Sequence, residues 1–452
     1  MPCSHAARMA TRAIPDADSR WLLWLLVTAM CWRHLLAVLT VVPSQDGATY
    51  LWMAVQFARG DLLVPVTEVF SPLLPLLVAL PVACGMDAFE AGQLTCCILG
   101  ALAIVPAHRA AELLAPGAGR WAALLMAVAP LPARLCGEVY AEPGFLFAAG
   151  TAVVHGLRCE PWRLGLWTAI AFGFRPDALV LALPFLALRP RVLVGALVPV
   201  LVAAVGYGWW RDAAGAGFDP VPRISFHASR DDLDGRGDVL ANLLQLPVAM
   251  LEGLGPVFLL ALLGARPPIA PSARRLGAGL VLGLGGPLTF VVRQRFTVNL
   301  LPWLLPFAGR ALHAMDARWR TVAVLLVLVH AGIEGPRGRI EPSRLADREV
   351  GEFVGTQLAP GETLVTEHAR ISWYAGTRPG SPRKWDAPRL VALAQEPAVG
   401  WVVLDRDRAD AGTVVAALGP AFARAELPQA VADAAQRRGL LLLRRVSRDG
   451  PR

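Results

Sequence analysis

Lysine is almost missing from this 452-residue chain: Lys384 is the only one, so every other one of its 43 cations is arginine. That bias reflects codon usage rather than a nucleic-acid groove, because no basic run is interleaved with exposed aromatics as such a groove requires. Charge as a whole is scarce, at 17% of residues against 55% hydrophobic ones. With a mean hydropathy of +0.49, a soluble globular protein is excluded. Metal spacing is absent from the seven cysteines, Cys3, Cys31, Cys84, Cys96, Cys97, Cys136 and Cys159. Several lie in apolar stretches and read as small core hydrophobes; a Cys84–Cys136 bridge on the outer face stays open. A cleavage site is lacking as well. Arg8, Arg12 and Arg20 precede a long apolar run that no small-residue motif closes, which reads as an uncleaved first span.

What the chain does have is apolar segments broken by short charged loops. Spans are expected at Trp21–Val42, Phe89–Ala107, Trp121–Leu135, Pro143–Leu157, Leu164–Phe174, Pro176–Leu188, Val192–Trp210, Val239–Leu263, Leu276–Val292, Phe296–Leu312 and Trp319–Ile333. That makes about eleven helices, several shorter than the roughly 20 residues of a straight crossing. Charge gives them an orientation. With an inside N-terminus, one side collects Arg109, Arg120, Arg158, Arg163, Arg189, Arg191, Arg266, Arg274, Arg275, Arg310, Arg318 and Arg320. This is the positive-inside pattern. The other side collects Asp46, Asp61, Glu68, Asp87, Glu90, Glu138, Glu142, Asp177 and the charged loop from Arg211 to Asp238. An odd number of spans puts the C-terminus outside too.

The organisation that follows is a short N-terminus inside (1–20), a transmembrane domain (21–335) and a soluble domain outside (336–452). The first outer loop covers 43–88. From about Ile340 the composition shifts to short β-type runs, LAPGETLVTEH, VGWVVLDRD and GLLLLRRV, separated by helical stretches such as Arg344–Leu358 and Ala411–Leu418. The fold class is therefore an α-helical polytopic membrane protein with a small C-terminal α/β domain. The tail carries no phosphate loop, metal cluster or triad spacing, and reads as a structural or acceptor-docking cap.

The first outer loop is the most informative stretch. Asp46 stands at the mouth of a membrane helix, before a short amphipathic helix (Thr49–Ala58) and a Pro-containing apolar segment too short to cross a bilayer. A plain anchor needs none of this. At Ser71–Pro72, Glu142–Pro143 and Arg175–Pro176, a polar residue precedes a proline that opens a helix, and proline keeps its predecessor out of the helical region. Glu142 and Arg175 should then stand at helix mouths. Each residue also has a plainer role open to it: helix cap for Asp46 and Glu142, headgroup contact for Arg175. Arg33 lies well inside the first span, where an ionisable group is a functional candidate unless it snorkels outward. Arg293 and Arg295 break the positive-inside pattern on the outer side, as if something anionic bound there. The tryptophans Trp21, Trp24, Trp32, Trp52, Trp209 and Trp210 suit interfacial anchoring.

Taken in order, these features resemble the GT-C superfamily of polytopic glycosyltransferases, in the bacterial branch of protein O-mannosyltransferases and lipid A aminoarabinose transferases. The matching pieces run the length of the chain. They are Arg33 in the first span, Asp46 and Tyr50 in the first loop, the in-plane SPLLPLLVALPVACG, and Pro130, Pro132, Glu142 and Pro143 in the second loop. GFRPDAL (Gly173–Leu179), RFTVNLLPWLLP (Arg295–Pro306) and the small α/β tail complete the series. Asp46–Gly47 stands where the family often has two adjacent acids, and Ser71 where His or Lys often precedes the proline. The resemblance implies transfer of a sugar, with inversion, from a polyprenyl-phosphate donor to a glycan, lipid or protein acceptor on the periplasmic face of a bacterial inner membrane. It implies Asp46 as general base and Glu142 as acceptor-orienting carboxylate, or as a ligand of a divalent cation where one is used. Arg295, with Arg175 and Arg33, would hold the phosphate; Tyr50 and Glu138 would line the substrate site. Nucleic acid is not an expected partner. Two other classes stay open: a polytopic transporter, which would show internal repeats and midplane polar groups, and an inactive membrane scaffold.

Overall fold

The computed structural model describes residues 16–186, 190–222, 224–225, 239–266, 271–285, 292–336, 341–379 and 385–446. Expected features at Cys3, Arg8, Arg12 and Arg189, and half of the loop from Arg211 to Asp238, lie outside the described residues. The chain divides into two compact units: Met1–Val38 with Ala54–Arg337, and Leu39–Met53 with Gly338–Arg452.

The first unit is helical. Its elements are α1 (Asp16–Val38), the end of α2 (Gln45–Ala58), α3 (Leu73–Ala83), α4 (Ala88–Leu102), α5 (Ile104–Leu114), α6 (Gly119–Val128) and α7 (Pro130–Gly137). There follow α8 (Glu142–Leu157), α9 (Pro161–Phe174), α10 (Pro190–Ala213), α11 (Val239–Leu254), α12 (Pro256–Gly264), α13 (Pro271–Gly283), α14 (Leu301–Ala314) and α15 (Ala317–Glu334). Among the described residues, three helical stretches are long and apolar enough to cross a membrane: Arg20–Val38, Ala88–Leu114 and Val194–Ala213. A fourth is the pair α11–α12 if it counts as one span, bent by 111°. The bend falls at Gly255, whose φ is +54° and whose missing side chain leaves room for His330. The expected spans are thus broken more often than hydropathy suggests. Trp121–Leu135 is two helices, α6 and α7, because Pro130 opens a new helix after Ala129 in extended conformation. Part of the expected span Leu276–Val292 lies outside the described residues.

Proline and glycine set the helix mouths. Arg175 ends α9 with φ −153° and ψ 133°, the extended geometry required before Pro176, which begins the 3-10 turn Pro176–Val180. Gly144, in the first turn of α8, faces the ring of Phe174, which would lie 2.3 Å from any added Cβ. Only glycine allows the start of α8 to approach the end of α9 this closely, and Glu142 and Arg175 flank that contact.

The second unit is α/β. After α16 (Pro342–Gln357) come β1 (Thr363–Thr366), α17 (Ala369–Tyr374), α18 (Ala387–Gln395), β2 (Val399–Asp405), α19 (Ala411–Leu418), β3 (Phe422–Arg424), α20 (Gln429–Arg438) and β4 (Leu440–Arg445). The sheet order is β1-β2-β4-β3, with β1 and β2 parallel and the other pairs antiparallel. Alternate side chains of β2 point to opposite faces. Trp401 and Val403 pack against α16 and α20, while Val402 and Leu404 pack against α18 and α19. Both faces are covered, which is why β2 is apolar from Val399 to Leu404. The beginning of α2, through Met53, belongs to this unit.

Candidate active site

The site in the first unit is built on the ends of α7, α8 and α9 and on the segment before α14. The helix α7 closes with a Schellman motif. Val139 N–H donates to Cys136 O at 3.3 Å and Tyr140 N–H to Leu135 O at 3.2 Å. That geometry puts a left-handed residue at Val139, with φ +57°. Glycine usually fills such a position; a β-branched residue there carries strain of roughly 1–2 kcal/mol. The turn delivers Glu138, Tyr140 and, two residues on, Glu142. Glu138 is buried, 3.7 Å from Arg134 across one helical turn.

Glu142 opens α8, but its side chain caps nothing. Its Oε1 instead accepts from Arg175 at 2.5 Å, and both side chains are almost fully buried. Arg175 also donates through Nε at 3.1 Å and through its second amino group at 2.6 Å to Oδ2 of Asp177. Asn299 Nδ2 donates to that same oxygen at 3.2 Å. Its own Oδ1 is buried and has no hydrogen-bond partner among the described residues. The orientation of the amide is set by the carboxylate, which needs a donor.

Arg295 completes the cluster. Its guanidinium lies 5.0 Å from the Tyr140 ring centroid and 5.1 Å from that of Phe296. Arg175 lies 5.7 Å from the same Phe296 ring. Two cations thus lie against one aromatic ring, and one of them, Arg175, is shared by two carboxylates. Arg293, by contrast, is exposed.

Arg33 has another place. It is fully buried, and its two amino groups donate to Met126 O at 2.7 Å and Ala127 O at 3.0 Å. These carbonyls belong to the last turn of α6, where no helical partner exists. Arg33 therefore satisfies a helix end from a neighbouring helix. The first outer loop is held similarly: Arg211 donates to Val66 O and Glu68 O, both at 2.6 Å. Tyr207 donates to Phe70 O at 3.2 Å and Trp210 to Leu62 O at 2.9 Å. Cys84 and Cys136 are both free thiols, so the bridge left open above does not form.

In the second unit, Asp46 is half-buried in the first turn of α2, and Tyr50 is buried one turn later. The helix begins four residues earlier than Thr49. Its cap is Ser44, whose Oγ accepts from Gly47 N–H at 2.8 Å. Asp46 is thus not the cap.

The sequence marked Glu142, Arg175 and Arg295 through proline and charge bias, and the structure brings these three together. It adds Asp177, Asn299, Tyr140 and Phe296. Asp177 and Asn299 stand inside the quoted GFRPDAL and RFTVN segments, but nothing in either segment signals their contact across 122 residues. A divalent cation does not fit this donor set. Glu142 is already neutralised by Arg175, and no three His, Cys, Asp or Glu side chains converge among the described residues.

No family model and no curated protein sequence matches the chain. Among solved structures, ArnT from Cupriavidus metallidurans bound to undecaprenyl phosphate superposes with a TM-score of 0.69 at 14% identity, covering 96% of this chain and 100% of that one. The apo state of the same protein gives 0.67 at 15% identity, covering 97% and 100%. The Archaeoglobus fulgidus oligosaccharyltransferase in its apo form gives 0.51 at 13% identity, covering 87% of this chain and 70% of that one. The fold is GT-C-like. The long apolar helices and this GT-C-like architecture together describe a membrane protein.

Proposed function

We propose that this protein is an inverting glycosyltransferase that moves a sugar from a polyprenyl-phosphate donor to an acceptor hydroxyl or amine at the outer face of a bacterial inner membrane. The observation that carries the reading is the Glu142–Arg175–Asp177–Asn299 constellation, buried at Glu142 and Arg175 and open at Asp177, with Arg295 against the neighbouring rings. The undecaprenyl phosphate bound by the ArnT neighbour supports a ligand of that class.

The chemistry follows from charge. The acceptor oxygen or nitrogen attacks the anomeric carbon, the bond from that carbon to the phosphate oxygen breaks, and the polyprenyl phosphate leaves with the electron pair. The acceptor proton passes to the carboxylate of Asp46, the general base. A single displacement inverts the anomeric configuration. During the step the phosphate changes from a diester of charge −1 to a monoester of about −1.5 to −2. Arg175 is already shared by two carboxylates, so its role is to hold Glu142 and Asp177 in place. Arg295, whose guanidinium lies against the Tyr140 and Phe296 rings, neutralises the charge that develops on the leaving group. Asn299 Oδ1 accepts from a sugar hydroxyl, and Glu142 and Glu138 orient the acceptor. Tyr50 lines the acceptor path near the base.

The test is transfer of tritium label from undecaprenyl-phosphate-linked sugars, hexose and pentose forms, in reconstituted membranes. Arg295→Lys keeps the charge but loses the paired hydrogen bonds, so donor turnover should fall at least tenfold; Arg295→Ala should nearly abolish it. Unchanged donor dependence in Arg295→Ala would move the phosphate site elsewhere. Absence of transfer by the wild-type protein with every donor, alongside transport of a solute, would favour the transporter class.

A further inference from the structure

The segment Leu39–Met53 and the C-terminal α/β domain fold as one unit, and one hydrogen bond between them stands next to Asp46. The main-chain N–H of Arg370 donates to Oε1 of Gln45 at 3.1 Å. Gln45 is the first helical residue of α2 and Asp46 the second. The Arg370 amide lies in the first turn of α17, where an N–H has no partner within its own helix. His368, the residue before α17, supplies no side-chain cap. The acceptor comes instead from the first loop.

Arg370 is itself fixed. Its Nε and second amino group hold Oδ2 of Asp347 at 2.7 and 2.6 Å, and Asp347 is fully buried. The other oxygen of Asp347 accepts from Arg438 Nε at 3.0 Å. Arg438 also reaches His368 Nδ1 at 3.4 Å, and His368 Nε2 meets Asp405, at the end of β2, at 3.1 Å. The amide that holds Gln45 is therefore anchored to α16, α20 and the sheet. Further along α2, Arg378 stacks on Trp52 at 5.4 Å. Ser44 caps the same turn from the other side. The first turn of a helix ordinarily frays; this one is tied at both ends of a three-residue stretch that has Asp46 within it.

We propose that the C-terminal domain sets the position of Asp46, with Gln45 as the positioning residue through which it does so. The inference rests on the reading of Asp46 as the base, and makes the tail a working part of the catalytic apparatus rather than a cap alone. A misplacement of the base by about 1 Å costs on the order of 10²-fold in rate.

The experiment compares Gln45→Leu, Gln45→Asn and Gln45→Glu with Asp46→Asn in the full-length protein, using tritiated undecaprenyl-phosphate-linked sugar as donor probe. Leu removes the acceptor at similar size, and Asn falls one methylene short of the amide. Glu keeps an oxygen in reach. In Gln45→Leu, kcat should fall about 10- to 100-fold with the donor KM within twofold of wild type and the melting temperature unchanged. Gln45→Asn should follow in the same direction, and Gln45→Glu should recover most of the turnover. Hydrogen exchange of the amides in residues 45–50 should accelerate in the Leu and Asn variants only. Wild-type kcat in both Gln45→Leu and Gln45→Asn, with Asp46→Asn inactive, would overturn the positioning role and leave the base assignment standing. A fully active Asp46→Asn would overturn both.

Discussion

At the scale of single residues, the cap and base roles of Asp46 now separate. Ser44 caps α2, so Asp46→Asn leaves the cap in place and gives up a favourable first-turn charge worth about 0.3–1 kcal/mol. Turnover should nevertheless drop at least about 10²-fold, as loss of a general base does. Transfer at the wild-type rate with a small fall in melting temperature would reduce Asp46 to that electrostatic contribution. Val139 sets strain against burial. Val139→Gly relieves roughly 1–2 kcal/mol of left-handed strain but removes a fully buried side chain worth about 1.5–3 kcal/mol. Stability in detergent melts should therefore fall by about 1 kcal/mol, and turnover should fall as well, because Tyr140 and Glu142 lose their fixed approach. Cys159, at φ +59° in the same kind of helix ending away from the cluster, is the control. Cys159→Gly, at a half-buried position, should leave turnover untouched. A Val139→Gly protein as active as wild type would show that the strain is only architectural. These residues also show what the sequence could say about the site. Arg175 was legible because proline dictates the backbone before it, and Arg295 because it violates a charge rule. Glu142 was legible because a proline in the first turn marks a helix start, although Glu142 is itself helical and not held outside the helix. Tyr140, Phe296, Asp177 and Asn299 follow no local rule. Their roles exist only through partners brought together by folding.

At the scale of elements, α1 and α6 are joined by a buried cation serving a helix end. Arg33→Leu would leave Met126 O and Ala127 O unsatisfied, at about 1–3 kcal/mol for each. Melting in detergent should fall accordingly, and donor KM should stay near wild type. A raised donor KM with unchanged melting would return Arg33 to the phosphate. The expected spans show why such joints escape a reading by hydropathy. A sliding average sees one apolar stretch from Trp121 to Leu135, but the carbonyl and ring clash of Pro130 ends α6 and starts α7. Likewise Val239–Leu263 reads as one span and is folded sharply at Gly255. The α/β character of the tail was legible from its runs. The strand order was not, because pairing of β2 with β4 depends on residues far apart in sequence.

At the scale of the whole molecule, the arginine bias makes a prediction about sides. Reporter fusions at Arg120 and at Gly419 should fall in opposite compartments, with Gly419 outside. Matching compartments would remove the outer-face site and the proposed reaction with it. One arrangement described above also bears on how such a protein can change. Arg211, Tyr207 and Trp210 hold the stretch from Leu62 to Phe70 at four carbonyl oxygens. Every residue type carries that oxygen, so these bonds are indifferent to what the loop spells, whereas the buried Val66 and Phe70 are not free to change. Leu62, Leu63 and Val64 already project their side chains outward. A lineage can therefore rewrite Leu62–Val64 to suit a new acceptor while the course of the loop stays the same, and grafting of these three residues between relatives should succeed wherever the clasping arginine and the buried Val66 and Phe70 are retained.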